Sequence, residues 1–417
     1  MFMASGSSLE NKEGRNFAMR RRLLVAACAG ACLISAVSAA AAPALKDKDD
    51  DAPILLVDDD KVQCPTAAFT KIQDAVNAAP PGATIRVCPG TYNEQVSIAK
   101  KLTIRGDNGA VVMPSNMVMN TSSLATGEPI AAAILVAGTT NVTLENLTVD
   151  GRNNNIVACA PTLVGVFYRN ASGEISDLAV RNMKLSLALN GCQSGLGIFV
   201  QSGSGGASHV EIEGSSVHDF QKNGITANET GTHVDINHNV VTGLGPTTGA
   251  AQNGIQIGFG ARGEIVGNQA ANHIWSPCVS VTVCAFIATD ILVFQSNDVR
   301  VYRNVGGVSQ TAIDLVGDHN EIDRNTVFDT LVFDGISVMG NANEVDANSI
   351  TNSDESGIFI DGNSNTVTEN RINEAPIGIL KTSGSVGNLI NGNYFFNTPI
   401  QVKDPTPANQ EKLSPYR

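Results

Sequence analysis

The stretch from Asn343 to Ile372 reads NEVDANSITNSDESGIFIDGNSNTVTENRI and nearly repeats itself. The phrase Asn-x-Val-x-x-Asn-x-Ile runs from Asn343 to Ile350 and returns from Asn365 to Ile372, 22 residues later, with SGIFI between the copies. A looser pattern, hydrophobic-x-x-Asn, extends outward to Asn146, Asn182, Asn239, Asn268, Asn304, Asn325, Asn348, Asn370 and Asn393, with Gly106 and Gly214 in equivalent places. From Asn304 onward the steps are 21, 23, 22 and 23 residues, too short for a domain and too regular for chance. The 36-residue step between Asn268 and Asn304 reads as a repeat carrying a loop.

Ahead of these Asn residues a small residue is followed by apolar residues at period two: GIFV from Gly197, GITA from Gly224, GIQI from Gly254, AIDL from Ala312, GISV from Gly335, GIFI from Gly357 and GILK from Gly378. Such brief alternation, rich in Ile and Val, predicts short strands, and the frequent Gly and Asn disfavour helices. Stacked in register, the strands build an all-β parallel solenoid of about eleven turns, each turn burying its inward residues against its neighbours. Asn tolerates a left-handed backbone at a tight corner, and stacked Asn amides can hydrogen-bond from turn to turn. An open end of such a stack needs a cover. The segment from Thr66 to Val87 predicts one, a helix capped by Thr66, with Phe69, Ile72, Ala75 and Val76 on one face and Pro80-Pro81-Gly82 as its stop.

The chain opens with an address. From Met19, three arginines precede an apolar run from Leu23 to Val37 and a stretch of small residues through Ala42, the pattern of a secretory signal peptide cleaved near residues 39–42. The polar residues before it point to Met19 as the true start. The expected organisation is therefore extension and signal peptide at 1–42, an acidic linker at 43–53, the solenoid with its cap at 54–402 and a tail at 403–417. The apolar run is too short for a membrane span, so a secreted or periplasmic monomer is expected. The formal net charge of −13 becomes more negative once the leader's five Lys/Arg and two Asp/Glu are gone, which argues against nucleic acid as a partner. Outside the leader six cysteines remain, with no CxxC pair. Disulfides are the first reading in an exported chain, and sequential stacking favours Cys64–Cys88, Cys159–Cys192 and Cys278–Cys284.

The segment IQDAVNAAPPGATIRVCPGTYNEQVSI, Ile72–Ile98, followed by LTIRGDNG from Leu102, resembles the opening of the pectin-lyase-like superfamily of right-handed parallel β-helices. GTYNEQV is most similar to pectin methylesterases, and the later units resemble generic β-helix repeats of secreted bacterial proteins. The resemblance spans roughly residues 54–400 and implies the right-handed fold together with action on, or binding of, a polysaccharide. No enzyme signature transfers residue by residue. The polygalacturonase set is missing, FQKN at Phe220 departs from the methylesterase pattern, the only tryptophan is Trp275, and VHDF at Val217 holds the one dipeptide in the order His-Asp.

Chemistry is therefore sought on the outward strand face. If the Ile of each Gly-Ile unit points inward, one outward row reads Phe199, Thr226, Gln256, Val293, Asp314, Ser337, Phe359 and Leu380. A second holds Gln201, Asn228, Gly258, Gln295, Val316, Met339 and Thr382 with Asp361, and the corner before the strand holds Asn223, Asn253, Asp290, Thr311 and Asp334. Asp290, Asp314 and Asp334 then fall on successive turns about 4.8 Å apart, placed to share a calcium ion or to divide acid and base roles, with Asp314 the leading candidate. Gln256, Gln295, Phe359, Thr226 and Asn228 suit a sugar chain, because amides bond hydroxyls and aromatic faces stack on pyranose rings. The competing account of an Asp before Gly is a turn former. His218, Asp219 and Lys222 form a possible proton-transfer group, while the remaining histidines, among them His209 and His233, show no ligand spacing for copper. The loop from Ser276 to Cys284 reads as a disulfide-closed groove wall. Two functions follow: a cation-assisted polysaccharide lyase or epimerase, or a non-catalytic glycan-binding or structural envelope or surface protein.

Overall fold

The computed structural model describes residues 52–404 apart from Val279 and Thr282. The expected signal peptide, all but the end of the linker and nearly all of the tail lie outside the described residues. The chain winds as a right-handed parallel β-helix, and the short strands of its turns build three parallel sheets of 13, 12 and 13 strands. The first sheet begins with Ile54–Val57 and Thr84–Val87, the second with Gly90–Tyr92, and the third with Val96–Ile98 and Pro129–Ala137. Ile54–Val57 precedes the first Asn phrase, so the coil begins ahead of the repeats by which its turns were counted.

Register explains the repeat. Matching positions on successive turns stack directly, as Ile175, Ile212, Ile236, Ile265 and Val301 do in the first sheet, and all are fully buried. Each such side chain stabilises the coil by roughly 1.5–3 kcal/mol relative to exposure.

The repeated Asn forms a buried ladder. From Asn239 through Asn268, Asn304, Asn325, Asn348 and Asn370, the backbone N–H and Nδ2 of each residue donate to Oδ1 of the ladder Asn one turn on, ending at Asn393, at 2.8–3.0 Å. The other Nδ2 hydrogen goes to a carbonyl of the previous turn, as from Asn348 to Ile322 at 2.9 Å. A shorter ladder links Asn320, Asn343, Asn365 and Asn388. One detail differs from expectation. The left-handed residue in these turns is the one before the ladder Asn, namely His238, Gly267, Arg303, Arg324, Ala347, Glu369 and Gly392, with φ from 53° to 69°. The preceding residue absorbs the bend, and the Asn keeps an ordinary backbone with its amide turned inward. Asn146 and Asn182 are themselves left-handed and stay outside the ladder. In the early turns Leu178 and Ser215 hold the same corner.

The capping helix forms at Ile72–Ala78, later than expected, and Thr66 does not cap it. Phe69 is drawn into a parallel bridge with Val57, which keeps the preceding chain extended. The first amides of the helix are met instead by the Glu94 carboxylate, at 2.8 Å from Ile72 N and 3.0 Å from Gln73 N. Ile72, Ala75 and Val76 are buried against the first turns, as the sequence implied. Bridges join Cys64–Cys88, Cys159–Cys192 and Cys278–Cys284.

Asn348→Leu removes the acceptor for two bonds from Asn325 and leaves those donors buried, so it is expected to cost roughly 3 kcal/mol or more. Asn352→Gly, at an exposed left-handed position, is expected to change stability by less than about 0.5 kcal/mol. Urea unfolding midpoints of the two variants check this; equal midpoints would remove the ladder from the account.

Candidate functional site

The outward row of the third sheet runs Leu135, Phe167, Phe199, Thr226, Gln256, Leu292, Asp314, Ser337, Phe359, Leu380. Leu292 therefore holds the place expected of Val293, which points inward. At its N-terminal end the row is roofed by the segment before Pro129. Leu124 N donates to Gln201 Oε1 at 2.8 Å and Arg169 Nε to Ser122 O at 2.9 Å, above the stacked rings of Phe167 and Phe199.

Beyond that roof a groove of about 650 Å³ opens over three turns. Asn223, Asn228, Asn253 and Gln256 line it together with Lys222, Leu292 and Phe294. Three of the amides converge on one. Gln256 Oε1 accepts from Asn223 Nδ2 at 3.0 Å and from Asn253 Nδ2 at 3.2 Å, while Gln256 Nε2 donates to Asn228 Oδ1 at 2.9 Å. The amide heads are thus held in fixed orientations, and the buried Asn223 Oδ1 has no hydrogen-bond partner among the described residues. The opposite wall is Ala285, Phe286 and Ile287, on the far side of the loop closed by Cys278–Cys284. Trp275 anchors that wall through an edge-on contact with Phe286 at 5.2 Å and a 3.0 Å bond from Nε1 to Gly249 O. Phe259 and Phe286 both present exposed ring surface to the groove.

Lys222 is the charged group in this lining. Its Nζ donates to Ala251 O at 2.7 Å, and burial pushes its pKa down to about 8. The expected grouping of Lys222 with His218 and Asp219 does not form. Asp219 bonds His218 at 2.8 Å and Lys184 at 2.9 Å, and the Lys184 ammonium holds the Asp219 carboxyl below its usual range.

Among the other expected binding residues, Gln256 and Asn228 are in the groove. Thr226 lies in the row but is buried, its Oγ1 accepting from Asn223. Phe359 is in the row and buried, with no face to offer a sugar. Gln295 is a left-handed corner residue one place beyond the row, where Phe294 pairs with Gly258.

The expected row of three aspartates is not formed, because Asp290 faces the inside of the coil. Thr289, not Asp290, aligns with Asn253 and Thr311, so Asp290 takes the small-residue place that Gly254 and Ala312 hold in neighbouring units. It is fully buried and bonded to His273 Nδ1 at 2.6 Å and Ser309 Oγ at 2.5 Å. Gly306 makes room for it, since a Cβ there would stand 3.0 Å from Asp290 Oδ2. Asp314 faces outward in register, between Leu292 and Ser337, but is only 2% exposed. Asp334 bonds the Ser356 hydroxyl. Burial raises Asp334 well above the ordinary carboxyl range, and the charges of Glu355 and Asp314 raise it further. Burial also pushes Glu355 up to about 7. The acidic residues that interact on this face are thus Asp314, Asp334 and Glu355, and of these Asp334 and Glu355 are raised by burial.

The fold class is a right-handed parallel β-helix. Residues 208–411 match the family described as periplasmic copper-binding protein (NosD). No curated protein matches the sequence. A lacto-N-biosidase from Eubacterium ramulus is similar in structure at 12% identity and a TM-score of 0.54, over 84% of this chain and 67% of that one. The A-module of the Azotobacter vinelandii mannuronan C-5 epimerase aligns at 13% identity and a TM-score of 0.45, over 80% and 92% of the two chains. The periplasmic alginate epimerase AlgG aligns at 12% and 0.42, over 81% and 83%. Among the described residues no helix is long and apolar enough to cross a membrane.

Because Glu355 is raised in the fold, the native state holds a proton that the unfolded chain has released. Its contribution therefore falls as pH rises from about 4.5 to about 7 and then levels off. Glu355→Gln is expected to melt higher than the parent at pH 8 and close to it at pH 4. A melting-temperature series across that range checks the sign.

Proposed function

We propose that the chain is an exported glycan-binding β-helix whose third-sheet groove takes an acidic sugar chain. The observation that carries this reading is Lys222, a buried amine among oriented amides, in a protein whose overall charge would otherwise repel a polyanion. Amide groups would bond hydroxyls, Lys222 would face a carboxylate, and the exposed rings of Phe259 and Phe286 would stack on pyranose faces. The three disulfides suit an oxidising compartment, and the periplasmic family matched over residues 208–411 supports export to the periplasm.

The same amine supports a lyase or epimerase version of this reading. With a pKa of about 8, roughly a tenth of it is uncharged at pH 7 and able to accept a sugar-ring proton. The copper in the family description has no counterpart in the groove, whose lining of amides, apolar residues and one amine is not a copper donor set. A donor set that fits such an ion lies on another face, at His209, His233 and Asp235.

Titration with oligomers of alginate, polygalacturonate and neutral glycans tests the groove. Binding of a uronate oligomer is expected to weaken roughly 10- to 100-fold in Lys222→Met, the loss of one charged hydrogen bond, and to weaken with salt. Absorbance at 235 nm picks out a lyase, since only a lyase releases unsaturated ends, and proton NMR of the recovered polymer picks out an epimerase by its changed C5 configuration. No uronate binding, or binding indifferent to Lys222→Met, would overturn the proposal.

A further inference from the structure

The outer face of the first sheet carries a second group of polar side chains, unrelated to the groove. Strands Ser208–Glu213 and Thr232–Asn237 are neighbours in that sheet, and their register sets His209 directly opposite His233. Both point away from the core, as the alternate burial of the two strands shows. Asp235 stands two residues beyond His233 and so on the same face. Its two oxygens divide between the rings, Oδ2 at 3.1 Å from His209 Nε2 and Oδ1 at 3.5 Å from His233 Nε2. The ring centroids are 4.7 Å apart, and the donor atoms of all three residues lie within 4.8 Å of one another.

From this convergence we infer that His209, His233 and Asp235 form a binding site for a divalent transition-metal ion, Cu2+ ahead of Zn2+. The donor chemistry selects the ion. Two imidazoles and one carboxylate suit copper and zinc, whereas calcium and magnesium favour all-oxygen sets. Between the two, affinity for a nitrogen and oxygen site rises from zinc to copper.

The surroundings favour a cation. Glu174, Glu211, Asp235 and Glu264 align in one column across four successive turns, so carboxylates sit about 4.8 Å apart beside the imidazoles. A bound cation relieves repulsion along such a column. The neighbouring positive charge is turned elsewhere: Arg262, in register with His233, reaches Asp298 at 3.3 Å. Three protein donors also leave coordination positions for water or for a donor from another molecule. A hollow of about 360 Å³, lined by Thr230, His233, Arg262 and Gln295 among others, gives such a donor access.

Spacing along the chain hides this site. His209 and His233 are 24 residues apart, far from any short ligand motif, and that distance is one turn of the coil. The expectation that the histidines show no ligand spacing is corrected here, because in a solenoid the relevant spacing is the turn.

The test is calorimetric titration of the tag-free full chain with Cu2+, and separately with Zn2+, followed by electron paramagnetic resonance of the copper-loaded protein. One equivalent of Cu2+ is expected to bind, with nitrogen hyperfine structure from two imidazoles and with Zn2+ weaker. His209→Gln and His233→Gln are each expected to weaken Cu2+ binding by at least the roughly 10- to 100-fold that loss of an outer-shell partner costs. His238→Gln, which alters the separate pair with Glu213, is expected to leave affinity unchanged, and unaltered melting temperatures would show all three variants folded. Absence of Cu2+ binding, or full affinity retained in either His209→Gln or His233→Gln, would overturn the inference, as would Zn2+ binding tighter than Cu2+.

Discussion

The amide-to-amide bond between stacked asparagines is the constraint on which the rest of this structure depends. Each rung closes a corner inside the coil, where an unpaired backbone N–H would be costly, and each passes its own donors to the next turn. The side chain must be short, must carry both a donor pair and an acceptor, and must reach a carbonyl behind while accepting from the turn before. Asn meets all three demands and Asp does not, because its carboxylate only accepts. Once the corner is fixed, register follows, and register decides which side chains meet on the outside.

Function on such a scaffold is a matter of columns. The groove draws Lys222 and Asn223 from one turn, Asn253 and Gln256 from the next, and Leu292 and Phe294 from a third. The metal-binding triad draws on two turns of a different sheet. Long steps in the repeat are where the outer surface is elaborated. The insertion between Asn268 and Asn304 builds the disulfide-closed wall, and the segment ahead of Pro129 roofs the row of phenylalanines.

The fold was legible because the 22-residue phrase and the Gly-Ile alternation both report local geometry that is the same on every turn. The strand interior, the buried Asn and the three sequential disulfides all follow from that. The site was legible only in part. Gln256 and Asn228 sit in regular turns, and counting places them correctly. Asp290 and Gln295 were misplaced by one residue because they follow the insertion, where no Gly-Ile phrase marks the start of the strand. A slip of one residue exchanges inside for outside. Phe259 and Phe286 were missed because each stands on an irregular segment, although Gly258-Phe259-Gly260 carries a turn signal in its flanking glycines. The His209–His233 pair needed the turn length applied to residues outside the repeated phrase.

Native-state hydrogen exchange of the backbone amides tests the ladder most directly, because the amides of Asn268, Asn304, Asn325 and Asn348 each donate to the asparagine of the next turn. The account predicts that these amides exchange only through global unfolding, at rates set by the stability of the whole coil and far below those of the amides between Ser276 and Ala288. Exchange of the ladder amides as fast as that of the loop would contradict it.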